Sequence, residues 1–422
     1  MALDDLGTVP IIVRSSSRLE DRFGSAFSGK YKSLFLTNQG TKKQRLTMLL
    51  DAVAEVYSSL FGPDPVQYRR ERDLLDVREE MGVIIQQVVG SPVGTYYMPS
   101  CAGIAFSRNE FRWSPRIERS DGLLRVVPGL GTRSVDRLGD DYPILVAPGR
   151  PGLRVNSTPD EAVRYSPRRA DVLNLEKNRF ETVEMRDLLR GCGDDFPAVE
   201  KCVSVFRDGK LDRKSRIALN FTSDDLVVTF DGLMEDDRFI GTMRDMLEVL
   251  EAELGTPVDI EFAYDGTRIW LLQCRPQSHS GDSAPDPIPQ NVSETETVFT
   301  ARRHISNGAV PDISHIVYVD ARRYSLLDSD QDMRNVARIV GELNQILPKR
   351  SFLLIGPGRW GSRGDIRQGV SVTYADICNA AVLVEVAVRG GTYVPDLSFG
   401  THFFQDLVES EIRYIPVYPE DH

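Results

Sequence analysis

The stretch V258-DIEFAYDGTRIWLLQCR-P276 decides how this 422-residue chain is read. Side chains alternate across a strand, so a strand over 258–264 puts Asp259, Glu261 and Ala263 on one face and the apolar residues between them on the other. Asp265-Gly266 marks a turn into a second strand, over 268–274. The turn decides what faces the acids. A two-residue turn at 265–266 pairs Tyr264 with Thr267 and puts Gln273 on the opposite face. A three-residue loop over 264–266, with Gly266 left-handed, puts Gln273 and Arg275 beside Asp259 and Glu261. In the second case two carboxylates, an amide and a guanidinium converge, a set that suits Mg²⁺ held against phosphates and a bidentate Arg–phosphate contact. The same pattern also suits a solvent-facing hairpin edge.

Outward from the hairpin, Met243, Met246, Leu247, Leu250 and Leu254 line one face of a helix predicted over 241–254, with Gly255 at its end. Near the N-terminus, PIIV (10–13) reads as a buried strand running into the polar stretch RSSSRLED and a small-residue loop, FGSAFSG (23–29). Arg14 with the following serines is a candidate phosphate cradle, and an ordinary loop is the plainer alternative. Helical spacing over 43–60 predicts a helix that Gly62-Pro63 ends. GVIIQQVV (82–89) has the composition of a central buried strand, against which an adenine ring could lie. Further strands are expected over 102–107 and 123–127, and loops with short elements over 137–225. PQSHSGDSAPDPIPQNVSET (276–295) has linker composition. Beyond it, strands at 315–319, 351–355 and 381–386 and a helix at 332–347 indicate a second α/β unit, with a glycine loop, GPGRWGSRGD, after one buried strand. That loop could bind a phosphate or a second ligand, with Arg359 and Arg363 donating and His402 nearby, and a tight structural turn is the equal alternative.

Composition excludes several classes. Hydrophobic residues at 41% and charged residues at 27% are those of a folding chain, and the length suits two or three domains. A formal net charge of −11 argues against nucleic-acid binding. Apolar runs are strand-sized and no export signal opens the chain, so a cytoplasmic protein without a membrane segment is expected. Five cysteines without a CxxC pair and five dispersed histidines indicate neither disulfides nor zinc.

In order and spacing, VRSS (13–16), the Phe-Ser-Gly loop, the strand ending in glutamine, AGIAFSRN (102–109), PGLGTRSVD (128–136), DIEFA and LLQCRP resemble the ATP-grasp domain of phosphoenolpyruvate synthase and pyruvate phosphate dikinase, over about residues 10–278. The resemblance implies an α+β fold: an ATP-grasp-like nucleotide-binding domain over 1–278, N-terminally incomplete, a linker over 279–295 and a small α/β domain over 296–422. It implies a kinase-like phosphotransferase that uses ATP and Mg²⁺ on an unidentified acceptor. Arg14 would contact the transferring phosphates, with Ser15 and Ser16 beside it. Gly24, Ser25 and Gly29 would cover the phosphates. Gln86, Gln87 and Val88 would frame adenine through backbone atoms. Glu261 and Gln273 would bind metal or nucleotide, and Asp259 and Arg275 would complete the site. Thr132 departs from the acid usual after G-L-G. The phosphate-binding lysine of the family lies in a subdomain before VRSS, so a partner chain that supplies it is one expectation, and a non-catalytic nucleotide-binding regulatory module is another. No phosphohistidine motif is found, which argues against a complete dikinase cycle. The tail motifs LLIGPGRWGSRGD, VTYADICNA (372–380) and FGTHFFQDL (399–407) resemble the C-terminal region of bacterial proteins with a phosphoenolpyruvate/pyruvate-binding domain.

Overall fold

The computed structural model describes residues 2–17, 20, 31–71, 74–109, 114, 116–134, 142–156, 158–277, 288–289, 292–301, 305, 308–361, 369–387, 397–398, 403, 407 and 412–419. Helices and sheets are mixed throughout. The chain divides into two compact units, Met1–Glu110 with Ser114–Gln277, and Phe111–Trp113 with Ser278–His422.

In the first unit, strands β1 (Ile11–Ser17), β2 (Ser33–Leu36) and β3 (Met81–Gln87) form an antiparallel sheet in the order β2-β1-β3. β1 does not stop at Val13. Arg14, Ser15, Ser16 and Ser17 pair with Ile84, Val83, Gly82 and Met81, so the polar run expected as a loop is strand. Ile11 and Val13 pack under the helix Lys42–Ser58 against Leu49, Ala52 and Val56. Thr41 and Gln44 start that helix with a reciprocal capping box. β3, expected to be central, is an edge strand: one row of its side chains stays in partial contact with β1's core and the other is open.

Strands β4 (Ser91–Val93), β5 (Tyr96–Met98), β6 (Cys101–Phe106), β7 (Leu123–Pro128) and β8 (Ile144–Val146) follow. The region 137–225, expected as loops with short elements, also carries β9 (Arg169–Asn174), β10 (Arg179–Glu184), β11 (Val203–Arg207), β12 (Lys210–Asp212) and the helix Met185–Cys192, and β13 (Leu226–Val228) follows it. Such strands are short, and β9 is buried on both faces from Ala170 to Asn174, which removes the alternation that announces a half-buried strand. They build the sheets β10-β9-β5-β4 and β12-β11-β13.

The hairpin of β14 (Val258–Tyr264) and β15 (Ile269–Pro276) edges the five-stranded sheet β15-β14-β6-β7-β8. Its loop is neither of the two expected. Four residues, Asp265–Arg268, connect Tyr264 to Ile269, and the Asp265 carboxylate accepts the N–H groups of Thr267 and Arg268, each at 2.8 Å. Gly266 sits at φ +99°, and a Cβ there would lie 2.7 Å from Pro197 Cβ, so the turn requires glycine twice over. The extra residue that resets the faces lies within the ladder. Phe262 pairs with Leu271 and Glu261 with Gln273, leaving Leu272 as a bulge. Ile260 and Phe262 enter the main core with Phe239, Ile240, Met243 and Leu247 of the helix Asp237–Leu254.

The second unit has a parallel sheet in the order β16 (His315–Tyr318), β17 (Phe352–Pro357), β18 (Val382–Val386), β19 (Arg413–Val417). The crossover helix Asp330–Ile346, capped by Ser329, buries Met333, Ala337 and Val340. β16, expected buried, is an open edge whose residues are exposed apart from Val317. Among the described residues no helix is long and apolar enough to cross a membrane.

Candidate functional site

On β14 the alternation holds: Asp259 and Glu261 share the face opposite the core, and beyond the Leu272 bulge Gln273 and Arg275 stand directly across from them. Arg275 donates through Nε and Nη2 to Asp259 Oδ2 at 2.9 and 2.7 Å. From the three-stranded sheet, Arg14 donates through Nη2 to Glu261 Oε2 at 2.7 Å and to Gln273 Oε1. Arg14 of β1 and the four polar hairpin side chains therefore meet on one surface.

Electrostatics distinguish the two acids. Asp259 is 8% exposed, and burial pushes its carboxyl above the usual range, with Arg275 pulling it back and Glu261 pushing it further up. Its Oδ1 is buried and accepts no hydrogen bond. An acceptor left so costs free energy until a cation or donor reaches it. Glu261 is more open, its side chain 30% exposed.

Arg125 was not singled out in the sequence. It lies on β7 across Ile104 from Glu261, on the acid face, 1% exposed, and its charge helps lower the Asp259 carboxyl. A single arginine in the apolar strand LLRVVP is the only hint the sequence offers, and its face becomes readable only from the β6–β7 register. Arg14, Arg125 and Arg275 set three positive charges against the two of Asp259 and Glu261, an excess that favours an anion.

The oxygen donors fit a hard cation. Asp259, Glu261 and the Gln273 amide offer carboxylate and carbonyl oxygens without nitrogen or sulfur, and Asp259 Oδ1 is an acceptor in need of a partner. Among the described residues no group of three or more His, Cys, Asp or Glu is gathered. Two carboxylates suit Mg²⁺ that takes its remaining ligands from phosphate and water.

The other expected residues separate. Ser16 shares the Arg14 face of β1, whereas Ser15 points to the opposite face and donates to Glu20 at 2.8 Å. Val88 N–H donates to Pro10 O and its carbonyl accepts from Tyr97 OH, so both of its backbone groups are engaged. That bond makes 88–10 a hydrogen-bonded pair, and two residues on, 86–12 is the next. Gln87 therefore turns its N–H and C=O away from β1, toward the open edge, and is the one of the three whose backbone is presented outward. Gly24, Ser25 and Gly29 lie outside the described residues. Thr132 donates to Asp171 Oδ2 at 2.5 Å, and the buried Asp171 also accepts from Arg133 and from the exposed Thr182.

In the second unit Arg359 is buried, while Arg363 and His402 lie outside the described residues. Sequence reading overlooked a buried acid in the same unit. Glu385 on β18 is fully enclosed and accepts from Trp360 N–H (2.7 Å), Ser398 N–H (2.5 Å) and Tyr414 OH (2.7 Å). Burial pushes its carboxyl up to about 7. The Ser398 hydroxyl lies 2.5 Å from Glu385 Oε1 and 2.8 Å from the Trp360 carbonyl. Its single hydrogen can serve only one of them. A protonated Glu385 donating to Ser398 Oγ, which donates in turn to Trp360 O, satisfies the whole chain.

Comparison with known proteins agrees with the first unit. A family model described as the pyruvate phosphate dikinase AMP/ATP-binding domain matches residues 1–296. A Bacillus subtilis (strain 168) protein named "Uncharacterized phosphotransferase YvkC" is 25% identical over 266 residues, which make up 63% of this chain and 24% of that protein. The chain thus corresponds to about a quarter of that relative's length.

Proposed function

Because the chain belongs to the pyruvate phosphate dikinase AMP/ATP-binding domain family, we propose that it is an ATP-dependent phosphotransferase whose nucleotide lies on the acid face of β14–β15. The observation that carries this reading is the convergence of Arg14, Asp259, Glu261, Gln273 and Arg275. An ATP-grasp-like arrangement accounts for it: the nucleotide is held between the three-stranded sheet that bears Arg14 and the five-stranded sheet that bears the acids. We assign this role to residues 1–278, a connector to 279–295 and a separate α/β domain to 296–422.

In this reading Arg14 and Arg275 bind phosphate oxygens, each guanidinium offering a planar fork. Asp259, Glu261 and Gln273 would hold Mg²⁺, which when bound would neutralise charge on the phosphates. Arg125 keeps the buried end of the face cationic. The edge of β3 receives adenine, with Gln87 N–H and C=O as donor and acceptor, and Ser16 adds a hydroxyl beside Arg14. The protein's part is positioning and electrostatic stabilisation of the transferring group, and the acceptor hydroxyl or acid comes from a second substrate.

Calorimetry of Mg·AMP-PNP binding to the whole chain and to an Arg275→Ala, Glu261→Ala double variant tests the reading. Binding by the parent and at least ~100-fold weaker binding by the variant are expected, since charge-assisted contacts on both sides of the phosphates are removed. A folded parent that binds no nucleotide overturns it. A nucleotide-binding regulatory module without transfer is the second reading, and Thr132 favours it, because it stands where the family's acid is expected and commits its hydroxyl to Asp171. ³¹P NMR showing ATP bound but unconsumed over hours identifies that case.

A further inference from the structure

The acid face is not an open set of oxygens. Arg14 reaches both Glu261 Oε2 and Gln273 Oε1 with one nitrogen, and so engages two of the three side chains that the proposed metal would use. Asp259 is tied in the same way to Arg275 through Oδ2. Each acid already has a guanidinium partner, Glu261 with Arg14 and Asp259 with Arg275, and Arg125 is buried on the same face.

We infer that Arg14 acts as a built-in substitute for the divalent cation, closing the Glu261–Gln273 position so that the site accepts metal only together with nucleotide phosphate. The inference rests on the phosphotransferase reading and names how that site is regulated. A bare divalent ion arriving at this face meets guanidinium charge where it needs free carboxylate, and must displace a charge-assisted hydrogen bond without offering Arg14 a replacement. A polyphosphate changes this. Its oxygens accept Arg14's N–H groups, the side chain moves from carboxylate to phosphate, and Glu261 and Gln273 are released to the ion that the phosphates bring. Arg14 thus exchanges one anionic partner for another, and the Arg14–Glu261 pair breaks only when both components of the substrate are present. Arg14 belongs to β1 and its partners to β14 and β15, so the exchange also couples the two sheets to nucleotide occupancy.

The test uses Mn²⁺ as a paramagnetic stand-in for Mg²⁺, with free ion followed by electron paramagnetic resonance and no nucleotide present. The whole parent chain is expected to bind Mn²⁺ weakly, and Arg14→Met at least about tenfold more tightly, because removing one adjacent positive charge exposes two oxygen ligands. Adding Glu261→Gln to the Arg14→Met chain should remove the gain, and Arg14→Lys should return affinity toward the parent's. Circular dichroism verifies that each variant is folded, and Arg14→Gln repeats the comparison if the methionine chain is not. Equal Mn²⁺ affinity in the parent and in a folded Arg14 variant overturns the inference. Failure of Mn·AMP-PNP to bind any of these chains overturns the phosphotransferase reading, whereas a gain in Mn²⁺ binding without nucleotide still assigns Arg14 to the cation position.

Discussion

Each unit of this protein buries a carboxylate in a sheet, and the two are treated in opposite ways. Glu385 is surrounded by neutral donors from Trp360, Ser398 and Tyr414, with no oxygen left over. Asp259 is gripped on one oxygen by Arg275 while the other, itself buried, has no hydrogen bond. A carboxylate whose lone pairs are all served by its own fold ties strands together. One held by a cation with an acceptor to spare is what the proposed nucleotide site requires of Asp259. Burial raises the carboxyl in both, so burial alone does not distinguish a structural acid from a binding acid.

The largest effect that would break this contrast is on stability. Glu385→Ala leaves the buried donors of Trp360, Ser398 and Tyr414 without an acceptor, and at roughly 1–3 kcal/mol for each unmet group the second unit should lose about 3–5 kcal/mol in scanning calorimetry. A loss below about 1 kcal/mol would mean that Glu385 is not a structural tie.

Next comes binding. Asp259→Asn should weaken Mg·AMP-PNP about 100-fold, near 2.7 kcal/mol, while Glu385→Gln leaves affinity unchanged in the same titration. Equal effects in the two variants would erase the distinction.

The pH dependence sharpens it. The Glu385 carboxyl lies at about 7 in the fold against an ordinary 4.5. Between those values the native state keeps a proton that the unfolded chain releases, so stability falls as pH rises, by at most about 1.4 kcal/mol per pH unit, and levels off above 7. Denaturation series from pH 5 to 8 should show this slope in the parent and a flatter one in Glu385→Gln.

The smallest effect concerns what aligns the acid face. If the Leu272 bulge, rather than the turn, sets the register, then Gly266→Ala should destabilise the chain through its positive φ and the Pro197 contact while Mg·AMP-PNP affinity stays within about twofold. Loss of binding in a folded Gly266→Ala chain would move the control of register to the turn.

Much of the acid face could be read from the sequence because strand alternation is a strong local rule. VDIEFAY separates its acids from its apolar residues by period alone, and the long helix Asp237–Leu254 shows its stripe even though it starts four residues before the expected boundary. What lay beyond reading was non-local. WLLQC carries no glycine or polar residue to announce a bulge at Leu272, and the faces of Gln273 and Arg275 depend on it. Arg14 looked like the end of a strand running into a loop because RSSS is polar, yet β3 pairs with every residue of that run. Conversely, GVIIQQVV is apolar enough for the centre of a sheet and still forms an edge, since partners on the far side are a matter of topology and not of composition. Glu385 was invisible for the same reason: a lone acid in AVLVEV is enclosed only when Trp360, Ser398 and Tyr414 arrive from elsewhere in the chain.

Hydrogen–deuterium exchange of the whole chain with and without Mg·AMP-PNP tests the central claim most directly. Nucleotide on the acid face predicts slowed exchange in 11–17, 81–88 and 258–276, with 352–357 and 382–386 unchanged. Protection confined to the second unit, or none in either unit at saturating nucleotide, would contradict it.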